Sequence, residues 1–258
     1  MKDAKLKRKA AARLSARGLS LFWYDTVDST NSEARRRAAE LPLPAVLVAD
    51  AQSAGRGRMG RSFFSPQRSG LYFSYLTEIG QRETTVGLTA AAAVAAARAI
   101  ARTTGRACQI KWVNDLLLDG KKVAGILCEC FSVDERLFAV VGIGINLRTP
   151  DGGFPDELVR KAGALDAHAV CREALTVALA EELHALVCAL PDRGFMEEYR
   201  ARSAVLGRRV RYVQSGESYE GFATAIDDGG GLLVKDAEGR ETLLCSGEIS
   251  LDYEWNEE

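Results

Sequence analysis

The feature that most limits the fold is a change of pattern near Ala204. Beyond it the chain reads only as short strands, at 208–214, 218–226, 231–235, 240–245 and 249–251. Gly216, Asp228-Gly229-Gly230 and Glu238-Gly239 punctuate them. Closely spaced strands broken by turn residues predict a small β-barrel. Ahead of Ala204 the pattern mixes helices with longer strands. The chain of 258 residues suits one large unit plus one small one. The boundary is placed at residue 203, giving units 1–203 and 204–258.

Within the first unit, 4–17 reads as a basic helix ended by Gly18. A strand follows at 19–24. Thr30-x-x-Glu33 is a capping-box pattern, so a helix is expected from Asn31 to Glu40, where Pro42 and Pro44 break it. Strands are expected at 46–49 and 70–77, with the segment 52–61 between them as a loop. Residues 84–102 form an alanine-rich helix of nearly ideal propensity. Strand-like stretches at 108–112 and 116–118 precede Asp119-Gly120, a two-residue hairpin signal. Two further strands, 121–131 and 137–147, turn near Asp134-Glu135, and 150–155 is a loop. An amphipathic helix at 171–190 and a shorter one at 195–202 complete the unit. The fold class is α+β: a mixed β-sheet backed by helices, followed by the small barrel.

Composition narrows the function. Net charge is −1, so the molecule as a whole does not read as a nucleic-acid binder, and any basic site must be local. Six cysteines include no C-x-x-C pair, and only His168 and His184 could assist, which argues against zinc. Leu127-Cys128 and Leu244-Cys245 lie in apolar runs and read as buried free thiols, which suits a reducing cytoplasm. Residues 1–18 carry no apolar core of a signal peptide, and no apolar run spans a bilayer, so no membrane association is expected.

Gly55-Arg-Gly-Arg-Met-Gly-Arg61 places three glycines and three arginines in seven residues. Glycine lets backbone N–H groups approach an anion, and arginine offers planar bidentate donors to phosphate or carboxylate. No Gly-Lys-Ser/Thr follows, so this is not a Walker A loop. A solvated basic loop or an RNA patch remains open from the tract alone. Like charges so close together should repel and leave an empty loop disordered, while a polyanionic ligand would order it.

Five segments together resemble the biotin–protein ligase family: this loop, Asp28-Ser-Thr-Asn31, Lys111-Trp-Val-Asn-Asp115, Lys122-Val-Ala-Gly-Ile-Leu127 and Val141-Gly-Ile-Gly-Ile-Asn146. They occur in the family's order, and the C-terminal strands resemble its SH3-like barrel. The resemblance implies an enzyme that uses Mg2+ and ATP to turn biotin into biotinyl-5′-AMP, releasing pyrophosphate. It then passes biotin to a lysine of a biotin carboxyl carrier protein. Ser29, Thr30 and Asn31 match the segment that hydrogen-bonds the ureido ring, although Thr30 also suits a helix cap, and Gln52 matches a further biotin contact. Arg56, Gly57 and Arg58 match the ligand loop, with Arg61 on the phosphate side. Lys122 matches the family's essential lysine; it and Arg58 are the expected catalytic residues, both also touching biotin. Phe63, Asn114, Asp115 and Asn146 join Arg58 and Arg61 on the nucleotide side. No metal ligand set is assigned, and Asp115 is the residue through which Mg2+ would be met. Gly142 and Gly144 inside a strand imply that a ligand or another backbone comes close.

Two residues depart from the family pattern: Val113 stands where proline is usual, and Phe63 where tryptophan is usual. Residues 1–18 are too short for the DNA-binding domain that some members carry, so the resemblance is to the monofunctional class, with no DNA partner. Family members are often homodimers through the catalytic sheet, which leaves that state open here. The nearest rival reading is a lipoate–protein ligase. A rival of another class is a nucleic-acid-binding module using Arg56, Arg58 and Arg61 with Phe63 and Phe64, whose binding would be steeply salt-dependent.

Overall fold

The computed structural model describes residues 2–80, 85–166, 170–190, 192–214 and 216–251. Thr84, His168 and residues 252–258 lie outside them. Seven strands form the first sheet: β1 (Ser20–Val27), β2 (Ala45–Gln52), β3 (Gly70–Glu78), β4 (Gln109–Lys111), β5 (Asp115–Leu118), β6 (Lys121–Val133) and β7 (Arg136–Asn146). Their order is β1-β2-β3-β7-β6-β5-β4. Only β1 and β2 run parallel, so the sheet is mixed as expected. Asp119 and Gly120 both have positive φ, as do Asp134 and Glu135, and these pairs make the tight turns on either side of β6.

Strand alternation divides the sheet into two faces. Val46, Val48, Phe73, Tyr75, Val141 and Ile143 enter one apolar cluster with α3 (Thr85–Thr104) and α5 (Arg172–Cys188). Leu47, Leu76, Phe138 and Val140 enter another with Ala34 and Ala38, at and just beyond α2 (Thr30–Arg36). Helix α1 (Lys2–Ser15) packs on α5 and β1. Two sequence expectations change here. Helix α2 is a turn shorter than expected. Helix α5 is not amphipathic over its first half, because Leu175–Ala180 are all buried between α3, α1 and the sheet. The alanines of α3 permit this close layering: Ala90–Ala97 are at most 2% exposed. A short helix, α4 (Asp156–Val159), falls in a stretch with no sequence signal for it.

After α6 (Phe195–Ala201) the chain crosses β4, where Ile110 N–H donates to Arg202 O and Ala204 N–H to Ile110 O, each at 2.8 Å. Five antiparallel strands follow: β8 (Arg209–Gln214), β9 (Glu217–Ile226), β10 (Leu232–Lys235), β11 (Glu241–Leu244) and β12 (Ile249–Leu251). Their order is β11-β10-β9-β8-β12. The edge strands β11 and β12 do not pair, so the expected barrel is an open sheet. Its inner residues, Val210, Ala223, Ile226, Leu232 and Val234, belong to the same apolar cluster as α3, and Trp112 Nε1 donates to Gly230 O at 2.8 Å. All six cysteines are free. Cys245 is exposed rather than buried, because in β11 it is Leu244 that points inward.

Candidate active site

Three glycines strip the site face of the sheet. Gly125 on β6 pairs with Gly144 on β7, and Gly142 lies two residues further along. The space above them is filled by other groups. A Cβ on Gly142 would stand 2.3 Å from Asn31 Oδ1, and one on Gly144 would stand 2.4 Å from the Phe63 ring. A partly open cavity lies over this floor.

Neutral polar groups gather at the α2 end. Ser29 is the N-cap of α2, with Ser32 N–H 3.5 Å from its hydroxyl. Capping therefore falls to Ser29 rather than Thr30. Thr30 is freed for the cavity: its N–H and its hydroxyl donate to Gln52 Oε1 at 2.8 and 3.1 Å. Gln52 Nε2 in turn donates to Ser65 Oγ. Ser74 Oγ, fully buried on β3, lies 2.7 Å from Thr30 Oγ1 and 2.6 Å from Asn31 Oδ1. Ahead of the cap, the Arg36 guanidinium hydrogen-bonds the Asp28 carboxylate and holds its pKa down to about 2. Asp28 thus stays ionised in front of the helix N-terminus, where negative charge is favoured.

Cationic groups gather at the other end. Gly55 lets the loop turn sharply, since a Cβ there would meet Phe63 O at 2.4 Å and Ser65 Oγ at 2.5 Å. Each arginine of the loop has a partner. Arg56 pairs with Glu129, with Nη2 2.8 Å from Oε1. Arg58 Nη1 reaches Asn114 Oδ1 and Gly247 O, both at 3.2 Å. Arg61 forms a two-pronged pair with Glu248. Glu129 and Glu248 supply opposite charges to Arg56 and Arg61, which offsets the repulsion expected among the loop's arginines.

Lys122 arches over Gly125, with Nζ 3.1 Å from a Cβ placed there and 2.7 Å from Asp115 Oδ1. Its backbone is pinned on one side by Lys161 O and Gly163 N–H, each at 2.8 Å. Ser29, Thr30, Asn31, Gln52, Arg56, Gly57, Arg58, Phe63, Asn114 and Lys122 line the cavity. Arg61, Asp115 and Asn146 do not. Arg61 is held outside by Glu248, Asp115 stands behind Lys122, and Asn146 Nδ2 is spent on Gly163 O at 2.9 Å.

The chain was compared with known proteins. Residues 23–146 match the model of the biotin/lipoate A/B protein ligase family, and residues 205–252 match that of the biotin protein ligase C-terminal domain. A biotin–[acetyl-CoA-carboxylase] ligase of Paracoccus denitrificans is 34% identical over 230 residues, covering 84% of this chain and 94% of that protein. The chain belongs to the biotin–protein ligase family. The bifunctional ligase/repressor BirA of Bacillus subtilis is 33% identical over 249 residues, covering 91% of this chain and 74% of that one. A solved structure of the Aquifex aeolicus biotin protein ligase in complex with biotin and ATP superposes with a TM-score of 0.73. Its identity is 27%, over 90% of this chain and 97% of that one.

Side chains at the candidate site that sequence reasoning missed are Tyr72, which lines the cavity, and Ser74 and Glu129, which bond Asn31. Ser74 carried a usable signal, as the one small polar residue in the run Leu71-Tyr-Phe-Ser-Tyr-Leu76, opposite Gly142. Glu129 carried none, because an acidic residue at half-buried strand positions is common enough on any sheet. Phe63, where the family pattern has tryptophan, lies on Gly144 and Gly125. Val113 follows a cis peptide bond after Trp112.

Proposed function

We propose that this ligase carries out both half-reactions of biotin attachment over the one glycine-floored cavity. The observation that carries the reading is the polarity of that cavity: neutral hydroxyls and amides at the α2 end, with Arg56 beside them on Glu129, and Arg58 and Lys122 further along the glycine floor. Biotin has the matching form, with a neutral ureide at one end and a carboxylate at the other. Ser29, Thr30, Asn31 and Gln52 supply the donors and acceptors a ureide needs. Arg56, Gly57, Arg58 and Lys122 face the carboxylate and, in the first step, the α-phosphate of ATP.

In that step a biotin carboxylate oxygen attacks the α-phosphorus. The acyl O–P bond forms, the bond from that phosphorus to the bridging oxygen breaks, and pyrophosphate leaves with the electron pair. Negative charge gathers on the α-phosphate oxygens, where the ammonium of Lys122 and the guanidinium of Arg58 stabilise it. The Asp115 carboxylate directs Lys122 Nζ over Gly125. In the second step a neutral lysine amine of a biotin carboxyl carrier protein attacks the acyl carbon. The C–N bond forms, AMP leaves, and the extra amine proton passes to water. Orientation and exclusion of water supply most of what this step needs.

Phe63 and Asn114 lie on the nucleotide side. Arg61 joins them only by leaving Glu248, and Asn146 acts through the 161–165 segment that it holds. Magnesium fits as the companion of ATP. The ion would be held mainly by phosphate oxygens and water; Asp115 Oδ1 is already paired with Lys122 Nζ at 2.7 Å, so Asp115 would meet it only through its other oxygen. That ion would neutralise phosphate charge. Residues 1–203 form the catalytic unit and 204–258 the accessory one, whose Gly247 and Glu248 hold the ligand loop. Among the described residues no helix is long and apolar enough to cross a membrane, and a cytoplasmic site of action accords with six free thiols.

Pyrophosphate release by the purified protein tests this reading. Biotin should drive it in the presence of ATP and magnesium, and lipoate should not. Release that follows lipoate, or that ignores both acids, contradicts it.

A further inference from the structure

Glu129 is an acidic side chain set into a site for anionic substrates, where an unbalanced carboxylate would repel them. It lies on β6, 19% exposed, two residues beyond Leu127 on the face that carries Gly125. Its two oxygens make three contacts. Oε1 takes Arg56 Nη2 at 2.8 Å, while Oε2 takes Arg56 Nη1 at 3.1 Å and Asn31 Nδ2 at 3.0 Å. One carboxylate thus ties the N-terminal turn of α2 to the second residue of the glycine-arginine loop.

The chemistry of the partners gives this tie a direction. Asn31 Nδ2 faces Glu129 Oε2 and Leu127 O, the latter at 3.1 Å, and both are acceptors only. The amide nitrogen must therefore point to them, which turns Oδ1 toward Ser74 and the cavity floor over Gly142. Asn31 then presents an acceptor, the group that matches the N–H of a ureide. The same carboxylate holds the Arg56 fork flat, so that the loop starts folded across the cavity before any ligand arrives. Less order has to be imposed on binding when both groups are set in advance.

We propose that Glu129 is a positioning residue for biotin, fixing the Asn31 amide as an acceptor for the ligand and holding the Arg56 guanidinium beside it, through the one oxygen that both contact. It touches neither the reacting carboxylate nor the phosphate. The proposal rests on the biotin reading of the cavity. Because the contacts lie on the biotin side, ATP affinity should be indifferent to Glu129.

Titration of biotin and, separately, of ATP into the free protein tests it with Glu129→Gln, which keeps the side chain's size and removes its charge. The biotin Kd should rise on the order of ten- to hundredfold, the worth of hydrogen bonds to a charged group, with the ATP Kd unchanged. Glu129→Asp, too short to reach both partners, should raise the biotin Kd as well and is read the same way if the first variant does not fold. A biotin Kd that is unchanged or tighter overturns the proposal, as does an equal rise for both ligands, which would mark general damage. If the parent protein itself binds no biotin, it is the underlying functional reading that falls.

Discussion

Gly142 shows how one missing atom sets up the site. Its place in β7 is buried and regular, so a strand would gain from almost any side chain there. Asn31 Oδ1 occupies the position a Cβ would take, at 2.3 Å. Gly142→Ala should therefore displace Asn31, costing roughly 1–3 kcal/mol by overpacking and weakening biotin binding. Thermal melting and titration check this, and an alanine variant matching the parent in both would show that Asn31 does not need that space. Lys122 makes the complementary case. Its backbone is fixed by Lys161 and Gly163 whatever the side chain, so truncation should leave the local backbone in place. Lys122→Ala should slow biotin-driven pyrophosphate release by about 10²–10³-fold, the scale for removing one preorganised donor. Near-normal release would remove Lys122 from its role.

At the scale of elements, the ligand loop is ordered by contacts from outside it. Arg61 is held by Glu248 beyond β11, and Arg58 by Asn114 and Gly247. Both members of the Arg61–Glu248 pair are well exposed, so it should be weak. Glu248→Gln should speed tryptic cleavage after Arg61 by about two- to fivefold in the free protein, and biotin with ATP should restore protection. Equal cleavage in both proteins would mean that the accessory sheet does not hold the loop. These contacts also mark what a sequence can disclose. The glycines, the arginines and Ser29-Thr-Asn31 were legible because their residue types are unusual in their local context. Their partners were not, since Glu129 and Glu248 are ordinary until the fold brings them to Arg56 and Arg61. Ser29 rather than Thr30 as the cap, and the wholly buried first half of α5, were likewise decided by packing. Local pattern placed the strands within a few residues, because alternation and tight turns are short-range properties. It could not show that β11 and β12 stay unpaired.

At the scale of the whole molecule, the two sheets share one apolar cluster and meet again at the loop. The core under α3 carries the first sheet's helix layer and the inner face of the second sheet alike. The sheet's opposite face is given over to α2 at one end and to the cavity at the other. Burial pushes the thiols of Cys108 and Cys128 up to about 11 and about 12, so neither is a ready nucleophile. The central claim is that one cavity both activates biotin and delivers it to a lysine. Intact-mass analysis of a biotin carboxyl carrier domain after incubation with the protein, biotin, ATP and magnesium tests it most directly. The account predicts the gain of a single biotinyl group, on one lysine, requiring both biotin and ATP. A carrier left unmodified while ATP is consumed, or modified equally well with lipoate in place of biotin, would contradict it.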